Sequence, residues 1–178
     1  MIYLRELDEA LLPTAAAWLA QRDNARWLDF GHDVQELPPA ALWLMARRPL
    51  HCIRVFCNDV AGRPLGIVAL SNIARTSRTA SLWYLLGDKR YAARGCTTEA
   101  VRHMLDHAFG PLGLQALHAW AVAENIASVR VLEKTGFRYI GRQRRCHPLD
   151  GRPVDRLLFD LLHEEHCCLP CRTTTLPG

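Results

Sequence analysis

The chain has 178 residues, 49% hydrophobic and 22% charged, the make-up of one globular domain large enough to bury its own core. A formal net charge of only +4, from scattered basic residues, argues against a nucleic-acid partner. No apolar run reaches the roughly 18 residues of a membrane span. The N-terminus alternates and carries acid early, unlike a secretion signal. Cys52, Cys57, Cys96 and Cys146 are dispersed without framework spacing, which points to reduced thiols, so the expected setting is cytoplasmic.

Residues 2–6 alternate and read as a first strand. Asp8 is expected to cap a helix running to about Gln21, interrupted early by Pro13. A loop or short helix follows from Asp23 to Asp33, and Pro38 and Pro39 open a helix over about 40–47. Cys52 to Cys57 and Leu65 to Leu70 are strands joined by a turn rich in Asn, Asp, Gly and Pro. Ala80 to Leu86 is a further strand, with Leu82, Tyr84 and Leu86 on one face and Ser81, Trp83 and Leu85 on the other. A helix follows whose apolar stripe is Ala100, Val101, Met104, Leu105, Ala108 and Phe109, ended by Gly110 and Pro111. Leu117 to Ala123 is a strand. A helix then starts at Glu124 or Asn125 and ends at Gly136. Two last strands, from Phe137 and from Val154 to Leu162, are joined through the Asp150-Gly151 hairpin signal. The order implies a mixed α/β domain around a sheet of six or seven strands.

The stretch from Trp83 to Ala100 passes from strand through a basic loop (Lys89, Arg90, Arg94) to Gly95 and a helix start. Unpartnered N–H groups, a positive dipole end and a glycine that admits a bulky group make such a turn an anion cradle. Thr97 or Thr98 is expected to cap the helix and add a hydroxyl, and Glu99 to sit as capping or dipole partner in its first turn. The expected ligand bears phosphate.

That loop resembles the pyrophosphate loop of the GNAT superfamily of acetyl-CoA-dependent N-acetyltransferases. Gly95 takes the place of the family's central glycine, Thr97 its small-residue position, and Thr98-Glu99-Ala100 its helix start. Ala92 stands where the family has Arg or Gln, so Arg94, or Lys89 and Arg90, must supply the charge. A second stretch, Glu124 to Phe137, is similar to the family's helix that lines the CoA arm, with Asn125, Ser128, Lys134, Gly136 and Phe137 in register. Leu132 replaces a tyrosine that many relatives use as general acid. The tail of the domain looks most like the Rim-type branch, which acts on protein N-terminal amines, small amines or amino sugars. The resemblance covers residues 2–162. It implies an α/β GNAT fold, a mixed six- to seven-stranded central sheet flanked by helices, and acetyl-CoA as acyl donor with no metal. It implies CoA contacts from Leu85, Leu86, Arg90, Arg94, Gly95, Thr97, Thr98 and Asn125, with a backbone N–H near Leu85 or Leu86 stabilising the oxyanion.

Acyl transfer to an amine needs the amine neutral. A lysine amine with pKa about 10.4 is neutral about one part in a thousand at pH 7.4, costing roughly 4 kcal/mol, whereas an α-amine costs under about 1 kcal/mol. The resemblance puts Ser81 where many relatives carry a base. The candidate bases are therefore Glu124, at the end of a strand, and His118, whose ordinary pKa suits the task. Ser128 is the candidate proton donor to the leaving thiolate. Cys96 is poorly placed as a nucleophile, and Asp155 reads as structural. Trp18, Trp27, Phe30 and Trp43 jointly suggest an aromatic acceptor site. The expected acceptor is a small-molecule amine or protein N-terminus of low pKa, taken up by a monomer or homodimer with no nucleic-acid or membrane partner. The alternative is a catalytically weak CoA-binding module of the same fold that senses or scaffolds. Residues 1–162 form the domain. Residues 163–178 are expected to be a flexible C-terminal extension, although His163, His166, Cys167, Cys168 and Cys171 have the ligand types of a zinc site.

Overall fold

The computed structural model describes residues 1–30, 37–58 and 62–167. In chain order these form β1 (Tyr3–Glu6), α1 (Leu12–Ala20), α2 (Arg22–Ala25), α3 (Pro39–Arg47), β2 (Cys52–Cys57), β3 (Pro64–Ala74) and β4 (Thr79–Leu86). There follow α4 (Cys96–Phe109), β5 (Ala116–Val122), α5 (Ile126–Lys134), β6 (Arg138–Leu149), β7 (Arg152–Leu162) and α6 (His163–Cys167). The seven strands make one sheet in the order β1-β2-β3-β4-β5-β7-β6, the expected mixed α/β architecture.

Local chemistry explains most boundaries. Pro39 opens α3 at its first turn, where a missing N–H costs nothing. The β6–β7 turn places Asp150 at φ 48° and Gly151 at φ 80°, the two left-handed residues a tight hairpin demands. β3 runs past the expected Leu70 because Asn72, at φ 54°, absorbs a bulge that lets pairing with β4 resume at Ala74. Asp8 does not cap α1. Its Oδ1 accepts from Leu11 N at 2.9 Å and closes the turn before the helix, which starts at Leu12 with Pro13 in its first turn.

Each sheet face carries its own core. On one face α4 and α5 lie over Val68, Leu70, Leu82 and Leu117, and Val101, Met104, Leu105 and Ala108 of α4 are fully buried. Burying each larger side chain of that stripe stabilises the domain by roughly 1.5–3 kcal/mol. On the other face α1 and α3 cover Ile53, Val55, Ile67 and Leu85. The close approach of α1 is set by Gly87, where a Cβ would stand 2.0 Å from the Trp18 ring.

The feature that shapes the site is a gap. β4 and β5 are parallel neighbours paired only at Thr79–Ala116, Ala80–Leu117 and Ser81–His118. From Leu82 onward β4 pairs with β3 alone, while β5 stays on β7 as far as Val122. The two strands splay apart toward their C-terminal ends.

The first five residues of the expected extension, His163–Cys167, are helical. Helix α6 folds back onto α4, with His166 Nε2 2.9 Å from Asp106 Oδ1 and the His163 and His166 rings against Phe109. Cys168 and Cys171 lie outside the described residues, as does the remainder of the chain.

Candidate active site

The loop from β4 to α4 turns through a short 3-10 turn, Lys89–Tyr91, capped by Asp88. Arg90 forks onto the same carboxylate at 2.9 and 2.7 Å, and those hydrogen bonds hold the Asp88 carboxyl down to about 2. Arg90 is therefore matched by its own neighbour. Lys89 turns away and donates from Nζ to Asn24 Oδ1, and burial lowers its pKa. Of the three cations expected to compensate for Ala92, Arg94 alone has no hydrogen-bond partner for its charged group among the described residues. It is exposed, its guanidinium 5.2 Å over the Tyr91 ring.

Gly95 is the N-cap of α4, at φ 78° and ψ −2°. An added Cβ there meets nothing within 4 Å, so the space in front of the helix is open. Ala93, two residues earlier, is also left-handed at φ 61°. Neither Thr97 nor Thr98 caps the helix, contrary to expectation, because both lie inside its first turn and no side chain closes the end. The N–H groups of Cys96, Thr97 and Thr98 have no hydrogen-bond partner among the described residues. Glu99 does not cap either; its Oε1 accepts from Ile2 N at 2.8 Å and ties the start of the chain to this helix. The arrangement presents several donors and a positive dipole end to an outside anion.

From the cradle the gap runs back between the strands. Leu82 to Leu86 have no ladder partner on the β5 side, so this stretch offers free backbone donors and acceptors to an extended chain bearing amides. Leu85 and Leu86 stand at the end of the gap next to the cradle, on opposite faces.

Helix α5 closes one side. Asn125 is its N-cap, Oδ1 accepting from Ser128 N at 3.2 Å. Asn125 Nδ2 stays without a partner among the described residues. Ser128 is met from across the gap by Tyr84, which sequence reasoning placed only as a face-alternating strand residue. The Tyr84 hydroxyl donates to the Ser128 carbonyl at 2.9 Å, with its oxygen 3.0 Å from Ser128 Oγ. With its proton on the carbonyl, the phenol oxygen accepts from the serine hydroxyl. Burial pushes the Tyr84 phenol well above its usual range, which favours the neutral hydroxyl seen in these hydrogen bonds. The signal was present in the alternation that puts Tyr84 on the same face as Leu82 and Leu86.

Neither candidate base makes a hydrogen bond to Ser128 among the described residues. Glu124 lies exposed at the end of β5 with Oε2 2.6 Å from Arg152 of the β6–β7 hairpin. His118 is exposed at the closed end of the β4–β5 pair, on the opposite face from Leu117 and Ala119. Asp155 accepts from Arg145 N at 2.8 Å and is structural, as expected.

On the α1 face the sequence-expected aromatics divide. Trp18 is core, and Trp43 stacks under Arg47 at 3.7 Å and lines a cavity with Leu7, Asp8 and Ile53, apart from the other aromatics. Phe30 meets Trp83 edge-on at 5.7 Å, and Trp27 and Trp120 both pack against the cluster of Val122, Leu149 and Val154. The partly buried aromatics on this face are therefore Trp27 and Phe30 together with Trp83 and Trp120. Arg156 links them, its guanidinium 3.9 Å over Trp120, 2.5 Å from Asp29 Oδ2 and 3.0 Å from His147 Nδ1. Because arginine only donates, Nδ1 is the acceptor and Nε2–H donates to the Arg26 carbonyl at 2.8 Å. His147 is thus a neutral buried ring, its pKa lowered by burial above all and by Arg156, against the opposing pull of the Arg26 carbonyl and Asp29.

Taken together, this is an α/β domain whose sheet opens beside an unpaired, anion-receptive helix N-terminus. Residues 2–138 match the family model described as the acetyltransferase (GNAT) domain, and the chain belongs to that family. YjcK of Bacillus subtilis, named a probable N-acetyltransferase, is 36% identical over 104 residues, 58% of this chain and 57% of that protein. YdaF of Bacillus subtilis, provisionally named a ribosomal N-acetyltransferase, is 29% identical over 104 residues, 58% of this chain and 56% of that one. The matched region thus spans little more than half the length of these curated relatives. Among solved structures, spermidine N-acetyltransferase from Vibrio cholerae in complex with CoA and spermine is alike in fold. Its TM-score is 0.83 over 93% of this chain and 98% of that one, at 18% identity.

Proposed function

We propose that this chain transfers an acetyl group from acetyl-CoA to a primary amine of low pKa by direct attack in a ternary complex. The observation that supports it most is the run of unpartnered N–H groups at Cys96, Thr97 and Thr98, opening onto the splayed edge of β4. The residues fit the donor: open space at Gly95 and the free charge of Arg94 suit a pyrophosphate, and the unpaired edge of Leu82 to Leu86 suits the pantetheine amides. In the reaction the amine nitrogen bonds the thioester carbon, the C–S bond breaks, and the amine proton leaves as the thiolate gains one. Ser128, held at the gap by Tyr84 and by the Asn125 cap, turns its hydroxyl from Tyr84 to the sulfur, gives the thiolate that proton and regains one from the product nitrogen. A free N–H of the Leu85–Leu86 edge would stabilise the oxyanion.

The acceptor reading comes from charge. A polyamine is held by free carboxylates, and three carboxylates of this end of the sheet are already matched among the described residues: Asp29 by Arg156, Asp150 by Arg26 and Arg22, Glu124 by Arg152. With no free base beside Ser128 among the described residues, the enzyme favours an amine that is substantially neutral on arrival. The Trp27, Phe30, Trp83 and Trp120 face suits an acceptor with an apolar body, such as a peptide N-terminus.

The second reading, a CoA-binding module without turnover, is favoured by that same lack of a free base. Thiol release from acetyl-CoA with a panel of peptides and small amines, run beside CoA titration, separates the two. Release that depends on the amine supports the enzyme; saturable CoA binding with no release by any amine supports the module.

A further inference from the structure

The opposite end of the sheet from the splay holds a cavity of about 840 Å³, within the roughly 300–1,000 Å³ range of small-molecule sites. It lies between the end of α3, the start of β2, the β3–β4 turn and the C-terminal end of α4. Because α4 spans 14 residues at about 1.5 Å each, the cavity lies about 21 Å from the cradle at the other end of that helix. Its walls carry Arg47, Arg48, Arg54, Arg75 and Arg78, and no aspartate or glutamate lines it among the described residues.

Some of this charge is spoken for. Arg54 reaches Glu6 at 3.2 Å, Arg78 donates to the Gly113 carbonyl at 2.7 Å, and Arg47 stacks on Trp43. Arg48 and Arg75 are exposed and have no partner for their guanidinium groups among the described residues. In a chain of net charge +4, a concave site with five arginines is a concentrated positive field. Two histidines share the walls, His51 and His107. The Nδ1 of His51 is buried with no hydrogen-bond partner among the described residues, an unmet polar group that a ligand oxygen would satisfy once the ring turned toward the cavity. Burial first, then Arg48 for His51 and Arg54 for His107, lowers both ring pKa values, consistent with a site whose positive charge lacks its counterpart. Pro49, Pro111 and Leu112 are exposed in the lining and give the cavity an apolar shelf beside the guanidinium groups.

We infer that this cavity is a second anion site, distinct from the CoA cradle, built for a small polyphosphate that carries a flat apolar group, the chemistry of a nucleoside triphosphate. Guanidinium forks match phosphate oxygens two at a time, and the shelf takes the ring.

The test titrates the full chain, saturated with CoA to occupy the cradle, with ATP and separately with inorganic tripolyphosphate. The expected result is saturable binding of both, ATP the tighter, with the affinity of each at least about tenfold weaker in Arg48→Ala/Arg75→Ala. Both arginines are exposed and unpartnered among the described residues, so the variant keeps its fold, and an unchanged melting temperature checks this. In the unmodified protein the His51 and His107 imidazole resonances shift on ATP addition. No binding with CoA present, displacement by added CoA, unchanged affinity in the double variant, or silent histidine resonances overturns the inference. Tripolyphosphate binding as tightly as ATP overturns the apolar shelf.

Discussion

Gly95 is the position where charge and shape at the cradle can be separated. Gly95→Asp and Gly95→Asn have nearly the same shape, and neither meets an atom within 4 Å at Cβ. Both must hold φ 78°, a left-handed conformation that costs an L-residue about 1–2 kcal/mol but that Asp and Asn tolerate best. Both variants therefore stay folded, with melting temperatures close to each other. Only Asp brings a negative charge to the end of α4. A unit charge about 4–8 Å from a phosphate at an effective dielectric near 20 is worth roughly 2–4 kcal/mol, or about 30- to 700-fold in affinity. Calorimetric titration with CoA should show that loss for Gly95→Asp, shrinking as salt is raised, against a few-fold loss for Gly95→Asn. Equal losses would mean that backbone strain, not charge, governs the site; no loss in either would remove the pyrophosphate from α4.

Tyr84→Phe removes the hydroxyl that holds Ser128; we expect the fold to survive with a loss of about 0.5–1.5 kcal/mol, and kcat to fall while KM for acetyl-CoA changes little, read by thiol release. Leu105→Ala, in the fully buried stripe of α4, should cost about 2–5 kcal/mol in denaturant unfolding without altering which amines are accepted. The pH dependence has a definite sign. His147 faces Arg156, Asp29 and the Arg26 carbonyl, and its folded pKa lies below the ordinary histidine value. Its contribution to stability is therefore present above about 6.5 and lost as pH falls through the folded pKa. Melting curves from pH 8 to 5 should show this decline, and His147→Gln should flatten the part that it causes. An equal slope in the variant would assign the decline elsewhere, with His51 and His107, shifted in the same direction, next in line.

What could be read from the residues was what depends on neighbours in the chain. The alternation of Ser81 to Leu86 placed its side chains on the correct faces, the apolar stripe of α4 set its buried side, and Asp150-Gly151 set the last hairpin. The glycine-bearing loop and the Asn125 helix start pointed to the family that the domain match then showed. What escaped were pairings across the chain. Glu124 looked free because its partner Arg152 is 28 positions away, and Tyr84 was read only as one face of a strand because Ser128 is 44 positions away. Arg90 is the instructive exception: Asp88 two residues earlier is a local turn former, so its capture of the guanidinium was legible in principle. The aromatic face was half seen because Trp83 and Trp120 lie on strands remote in sequence from Trp27 and Phe30.

The position of the donor decides the site assignment, and the N-terminus of α4 is where a crystal structure of the chain with CoA looks for it. The pyrophosphate is expected on the N–H groups of Cys96, Thr97 and Thr98 with Arg94 beside it, and the pantetheine along the unpaired edge of Leu82 to Leu86. CoA bound elsewhere, or β4 and β5 zipped together beyond Ser81, would contradict that placement.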